Sequence, residues 1–106
     1  MDDTQTSKSL GASGALFGPL ARKAALVTGA GKRIGRAIAL KLAYAGANVA
    51  ITYRDSQTDA DETVRAIAKL GVEAFAVRTD LDDPESIVQS VDAAVQKFGR
   101  LDILVN

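Results

Sequence analysis

The sequence predicts an α/β fold, a parallel sheet built from the alternation β-α-β-α-β-α-β. Three observations carry this. Four short apolar runs recur along the chain, three apolar stripes at helical spacing lie between them, and a glycine closes each stripe. The runs are apolar on both faces, as strands of a covered parallel sheet must be.

The elements follow in order. Residues 1–20, MDDTQTSKSLGASGALFGPL, are rich in Ser, Thr, Gly and Ala without a sustained period. They read as a flexible leader, with Leu16, Phe17 and Leu20 as the residues able to touch the domain. Ala24 to Thr28 form strand one. Ile34, Ala37, Ile38, Leu42 and Ala45 fall on one face of a helix that Gly46 ends. Ala47 to Tyr53 form strand two. Val64, Ile67 and Ala68 share a face of a second helix, closed by Gly71, and Val72 to Val77 form strand three. Ile87, Val91, Ala94, Val95 and Phe98 make the third stripe, ended by Gly99, and Leu101 to Val105 form strand four.

Crossovers of this length are right-handed and join parallel strands. The prediction is the N-terminal half of a Rossmann-type doubly wound parallel sheet, strand order 3-2-1-4. Helices one and two belong on one face and helix three on the other. A strand at the very end would carry an open edge. Residues 21–106 therefore read as a partial dinucleotide-binding domain, truncated after strand four, within a longer protein.

Composition narrows the chemistry. The chain has 106 residues, 13 basic and 13 acidic side chains, and no His, Cys or Trp. Without Cys there are no disulfides, thiol nucleophiles or thiolate metal sites. Without His the commonest zinc ligand and neutral-pH base are missing. A formal charge of zero argues against nucleic acid and anionic membrane as partners. No apolar run reaches the roughly 18–20 residues that span a bilayer. Asp2 and Asp3 have the wrong sign for a targeting segment, so a cytoplasmic location is expected.

The turn after strand one reads Thr28-Gly29-Ala30-Gly31-Lys32-Arg33-Ile34-Gly35. Residues lacking Cβ allow a sharp turn and a close approach to phosphate, and the helix N-terminus offers free N–H groups to an anion. The G-x-G-x-x-G spacing is not met, because Ile34 takes the third slot and the glycine follows at Gly35. The Walker spacing is not met either, since no Ser or Thr follows Gly31-Lys32. Lys32, Arg33 and Arg36 place three cations where the helix dipole disfavours them by a few tenths of a kcal/mol each. A bound polyanion removes that conflict. The bland alternative is a solvated loop.

At the end of strand two an acid would bind the adenosine ribose hydroxyls, whereas Arg accommodates a 2′-phosphate. Here Tyr53 is followed by Arg54, which points to NADP(H) over NAD(H). Asp55 is the rival, and reads as a residue at the start of the next helix, beside Ser56. Strand three runs into Arg78-Thr79-Asp80-Leu81-Asp82-Asp83-Pro84-Glu85. Pro84 suits the first helical position and Asp83 the N-cap. Asp80 is too early to cap, and at this edge it could accept from an adenine amino group, with a solvated loop acid as the alternative. A magnesium site at Asp80, Asp82 and Asp83 ranks below the ordinary acidic helix start, and no metal is expected.

Together these residues resemble the short-chain dehydrogenase/reductase family over Lys23 to Asn106. Thr28 to Gly35 is similar to the family's TGxxxGxG turn, with Arg33 in place of the middle glycine. The Lys32-Arg33 pair resembles pteridine-reductase-like members. Asp80-Leu81 resembles the adenine-binding pair, and Leu104-Val105-Asn106 the start of the N-N-A-G segment. Arg54 resembles NADP-preferring members.

The resemblance implies cofactor contacts from Gly29, Gly31, Lys32, Arg33, Ile34, Gly35, Tyr53, Arg54, Asp80, Leu81 and Asn106. It also implies hydride transfer between NADP(H) and a small carbonyl or alcohol. A 3-oxoacyl-carrier-protein-reductase-like substrate leads, with pteridine and sugar as options, in a dimeric or tetrameric parent. The family's chemistry rests on a Ser and a Tyr-x-x-x-Lys. Tyr44 is followed four residues later by Asn48 and Tyr53 by Gln57, so neither fits, and both read as packing or cofactor-edge residues. No catalytic residue is assigned and the chain alone is expected to reduce nothing. The competing functions are an NADP-binding regulator of the same fold and a nucleotide-sugar-modifying relative with a further domain.

Overall fold

A computed structural model describes residues 18–106. Leu16, Phe17 and the rest of the segment 1–17 lie outside the described residues. Strands β1 (Ala24–Val27), β2 (Asn48–Tyr53), β3 (Ala74–Arg78) and β4 (Ile103–Val105) alternate with helices α1 (Arg33–Tyr44), α2 (Gln57–Ala68) and α3 (Pro84–Phe98). The sheet has the order β3-β2-β1-β4, and all three pairings are parallel. The expected order is therefore the observed one.

The strand pleat sorts the core into two faces. Ala25, Val27, Val49 and Ile51 meet Ala39 and Ala43 of α1 and Ala60 and Ile67 of α2 in one buried cluster. Leu26 and Ala50 point the other way, to Ala94 of α3, with Phe75, Val91, Phe98 and Leu101 packed around them. The Phe75 and Phe98 rings lie 5.2 Å apart in a tilted pair. Helices α1 and α2 thus cover one face and α3 the other, as the crossover rule requires.

The element ends differ from expectation by one or two residues. β3 begins at Ala74 instead of Val72 because Glu73 belongs to the turn. Its N–H donates to Asn48 Oδ1 at 2.9 Å and its carbonyl accepts from Val49 at 3.0 Å. β4 begins at Ile103 instead of Leu101, where Asp102 makes a clamp. Ala24 N–H donates to Asp102 Oδ2 and Asp102 N–H donates to the Ala24 carbonyl, both at 2.9 Å. Arg100 grips the same carboxylate with two bonds of 2.7 and 2.8 Å. The guanidinium first, then the Ala24 N–H, lower the Asp102 pKa to about 2. Before β1, Gly18 to Arg22 form a turn in which Leu20 N–H donates to the Ala45 carbonyl at 2.8 Å and Leu20 packs on the core.

Candidate functional site

The parallel register brings the carboxyl ends of all four strands to one edge of the sheet. That edge is where open α/β sheets take their ligands. A cleft of about 520 Å³ opens there between the N-termini of α1 and α2. Its walls are Gly29, Gly31, Lys32, Arg33, Ile34, Gly35, Tyr53, Arg54, Asp55, Ser56 and Asp59. Eight of the eleven expected cofactor residues are thereby gathered in one place.

The glycine turn is shaped by backbone contact. A Cβ on Gly35 would stand 2.4 Å from the Gly29 carbonyl oxygen and 2.9 Å from Ala30 Cα. Only glycine lets α1 begin that close to the strand end. Gly29 has φ +64°, and a Cβ there would project into open space. Arg33 adopts φ +55°. A side chain in that region costs about 1–2 kcal/mol. This position is where the TGxxxGxG pattern has glycine, so the departure in sequence coincides with backbone strain. Such strain, held at a cleft, is a recurring mark of function. Helix α1 has Lys32 at its N-cap with no side-chain cap and no acid in its first turn. Its leading N–H groups are left for an external anion.

Three threonines fasten the turn to the rest of the sheet. Gly29 N–H donates to Thr52 Oγ1 at 3.1 Å and Ala30 N–H to the Thr52 carbonyl at 3.1 Å. Thr63 Oγ1 donates to the Gly31 carbonyl at 3.1 Å. Thr28 Oγ1 donates to Asn106 Oδ1 at 2.9 Å, tying the end of β1 to the end of β4. Thr52 and Thr63 were missed by sequence reasoning. A buried Thr inside a strand or helix gives no local signal of a partner 23 or 32 residues away.

Two of the cations are paired. Lys32 Nζ lies 3.6 Å from Asp59 Oδ2, and Arg54 Nη1 lies 4.0 Å from Asp82 Oδ2. The Lys32 charge at the helix start is thus answered within the chain. Asp59, another residue sequence reasoning missed, supplies the answer from the first turn of α2. Asp55 lies in the cleft wall beside Arg54, and Ser56, not Asp55, caps α2.

Asp80, Leu81 and Asn106 stand outside this cleft. Asp80 Oδ1 accepts from Asp82 N–H at 2.9 Å, and Asp80 N–H donates to Ser86 Oγ at 3.0 Å. Asp83 accepts from Glu85 N–H at 3.1 Å, and Pro84 opens α3, so the cap lies where the sequence puts it. Leu81 joins two smaller cavities. One, of about 100 Å³, is bounded by Gly29, Thr52, Tyr53, Arg54, Thr79 and Leu81. The other, of about 170 Å³, lies against Leu26, Ile87, Leu104 and Asn106. Tyr44 is neither packed nor at the cleft. It is 65% exposed at the end of α1, with the Lys41 ammonium 5.9 Å from its ring centre, because it falls on the face turned away from the sheet.

A dinucleotide fits these residues on two observations. The Gly29 turn leaves open space where a side chain would stand. Thr79 Oγ1, in the smaller cavity beside Tyr53 and Arg54, is buried without a hydrogen-bond partner among the described residues. Buried hydroxyls ordinarily have one.

The fold and cleft define a doubly wound α/β unit with an open cleft at the carboxyl edge of its sheet. Residues 23–106 match the model of the short chain dehydrogenase family. The chain belongs to that family. It is 48% identical over 88 residues to hydroxynaphthalene reductase arp2 of Aspergillus fumigatus, covering 83% of this chain and 32% of that protein. It is 44% identical over 84 residues to the 3-oxoacyl-[acyl-carrier-protein] reductase FabG of Staphylococcus aureus, covering 79% and 34%. A short chain dehydrogenase from Burkholderia cenocepacia, solved in complex with NADP, superposes with a TM-score of 0.81 at 48% identity, covering 82% and 36%. The chain thus spans about a third of the length of these relatives.

Proposed function

We propose that this chain is the NADP(H)-binding portion of a short-chain dehydrogenase/reductase acting on a small carbonyl or alcohol. The observation that carries the reading is the uncapped start of α1, where Arg33 is held at φ +55° beside Lys32 and across the cleft from Arg54. Gly29, Gly31 and Gly35 would hold the pyrophosphate against the open N–H groups of α1. Arg54, with Lys32 or Arg33, would hold the 2′-phosphate, since a guanidinium forks onto phosphate oxygens. Asp80 keeps its second carboxylate oxygen for an adenine amino group, and Leu81 packs beside it. Tyr53 and the 76%-exposed Ile34 give the cleft apolar surface. Asn106 Oδ1, already bonded to Thr28, fixes the end of β4 beside the cofactor.

The nicotinamide supplies the hydride when bound. No tyrosine here has a lysine four positions on, so this chain does not itself carry the Tyr-x-x-x-Lys with which the family moves the proton. The 106-residue chain is therefore not competent alone. A 3-oxoacyl thioester is the leading substrate class, supported by the likeness to FabG, with pteridine and sugar-like carbonyls next. The setting is a cytoplasmic, homo-oligomeric parent. Among the described residues no helix is long and apolar enough to cross a membrane.

The test is Arg54→Ala in the full-length parent, titrated with NADPH and NADH by fluorescence at fixed ionic strength. Removing this one phosphate partner weakens NADPH binding by about tenfold or more, since a charge-assisted bond is worth about 1.5–3 kcal/mol. NADH is expected to be unchanged. Equal weakening of both, or a wild type that prefers NADH, refutes the assignment and returns the ribose to Asp55.

A further inference from the structure

Two of the three cations placed to read the 2′-phosphate are held by carboxylates of this same chain, at 3.6 Å for Lys32–Asp59 and 4.0 Å for Arg54–Asp82. The two acids differ in how they are fixed. The Asp82 side chain is 86% exposed and sits in a loop. The Asp59 side chain is 37% exposed and lies in the cleft wall. Its Oδ2 accepts from Ser56 Oγ at 2.9 Å, while its own N–H donates to that hydroxyl at 3.3 Å. It also stands in the first turn of α2, where the helix dipole favours an anion. Asp59 is thus a fixed negative charge inside the candidate phosphate cleft, with the Lys32 side chain bridging from the N-cap of α1 to reach it.

We infer that Asp59 is a specificity-determining residue for the cofactor, a built-in anion that occupies Lys32 until a terminal phosphate displaces it. The inference rests on the NADP(H) reading of the cleft. An exposed ammonium–carboxylate pair is weak. A phosphate monoester carries nearly two charges and three strong acceptor oxygens, so it outcompetes a single carboxylate. A ribose whose 2′ position bears only a hydroxyl brings no charge to Lys32, the 5′-phosphate common to both kinds of ligand going to the open N–H groups of α1, and the pair stays closed. Asp59 therefore lowers affinity for every ligand with a 2′-phosphate, and it does so through Lys32.

The test uses the 106-residue chain with 2′,5′-ADP and 5′-AMP as probes, titrated by calorimetry at fixed salt. Asp59→Asn is expected to bind 2′,5′-ADP about two- to fivefold tighter, with 5′-AMP unchanged. The gain disappears when Lys32→Ala is also present. Asp59→Ser, which keeps an acceptor at this turn, gives the same result, and circular dichroism melts confirm that each variant folds. The inference is overturned if Asp59→Asn weakens or leaves unchanged the binding of 2′,5′-ADP, if it weakens 5′-AMP, or if the gain survives Lys32→Ala. A wild type that does not favour 2′,5′-ADP over 5′-AMP defeats the underlying cofactor reading, and this proposal with it. A wild type that favours 2′,5′-ADP with no effect of Asp59 defeats this proposal alone.

Discussion

Two loops leave the same edge of the sheet and open helices of similar length, yet they are finished differently. The loop from Thr79 to Asp83 completes its own helix start, with the Thr79 hydroxyl alone left without a partner among the described residues. Ser86 takes the Asp80 N–H, Asp80 takes the Asp82 N–H, Asp83 caps α3, and Pro84 removes one donor that would need a partner. The loop from Thr28 to Gly35 does the reverse. It begins α1 without a cap or an acid, brings Gly35 against the Gly29 carbonyl, and holds Gly29 and an arginine in left-handed conformations. Its bonds run outward to Thr52 and Thr63, which fix its shape but leave the helix N–H groups open. A helix start that is complete needs nothing from outside. One that is rigid and incomplete is a receptor for an anion.

Substitutions separate the two. The largest effect belongs to Gly35→Ala. Its Cβ would meet the Gly29 carbonyl at 2.4 Å, backbone against backbone, so the turn must move. A loss of about 1–3 kcal/mol in urea unfolding is expected, together with loss of 2′,5′-ADP binding. Unchanged stability would show that the turn tolerates a Cβ at its closest approach. Next, Asp83→Ala removes the α3 cap and costs about 1 kcal/mol, while nucleotide binding stays as in the wild type. If binding falls as well, the two loops are not independent. Smaller again is Arg33→Gly. Relief of the left-handed strain is partly offset by the backbone entropy of glycine, so the chain gains less than about 1 kcal/mol. The same change weakens NADPH binding in the full-length parent. A variant that is more stable and binds as well would mean that the strain serves no ligand.

How far these loops are legible in the sequence follows the same division. The self-finished loop is written locally. Asp83 and Pro84 are a cap and a first helical residue whose partners lie within two positions, so the start of α3 is readable directly. The glycine turn is readable as a turn, from Gly29 and Gly35, and as a candidate phosphate site, from its cations. What holds it is not. Thr52, Thr63 and Asp59 act across 23 to 32 residues, or across the gap between two helices, and their positions depend on strand register and helix packing. The strand order was legible because crossover handedness and apolar runs fix it. The starts of β3 and β4 were not, because there the Asn48 and Asp102 side chains each take one backbone N–H, of Glu73 and of Ala24, in contacts that no local pattern announces.

The smallest expected effect lies at the opposite edge of the sheet and serves as a control on both loops. Asp102 has a folded pKa of about 2, below the usual carboxylate value near 3.9. A lowered folded pKa contributes stability above about pH 4 and loses it as the pH falls toward 2. Acid titration followed by circular dichroism should therefore show part of the loss in that window. Asp102→Asn should flatten that part while leaving nucleotide binding at neutral pH intact.

The bond between Thr28 and Asn106 also has a meaning in time. It joins residues 78 apart in the chain, whereas β1 meets β2 across roughly a third of that distance. Closing the longer loop costs about 1 kcal/mol more in chain entropy. The central strand is thus made first and completed last, and its two neighbours arrive on different schedules. Pulse-labelled hydrogen exchange during refolding should protect the β1–β2 amides before Thr28, whose N–H waits for the Val105 carbonyl. Protection of Thr28 in the first phase would reverse that order.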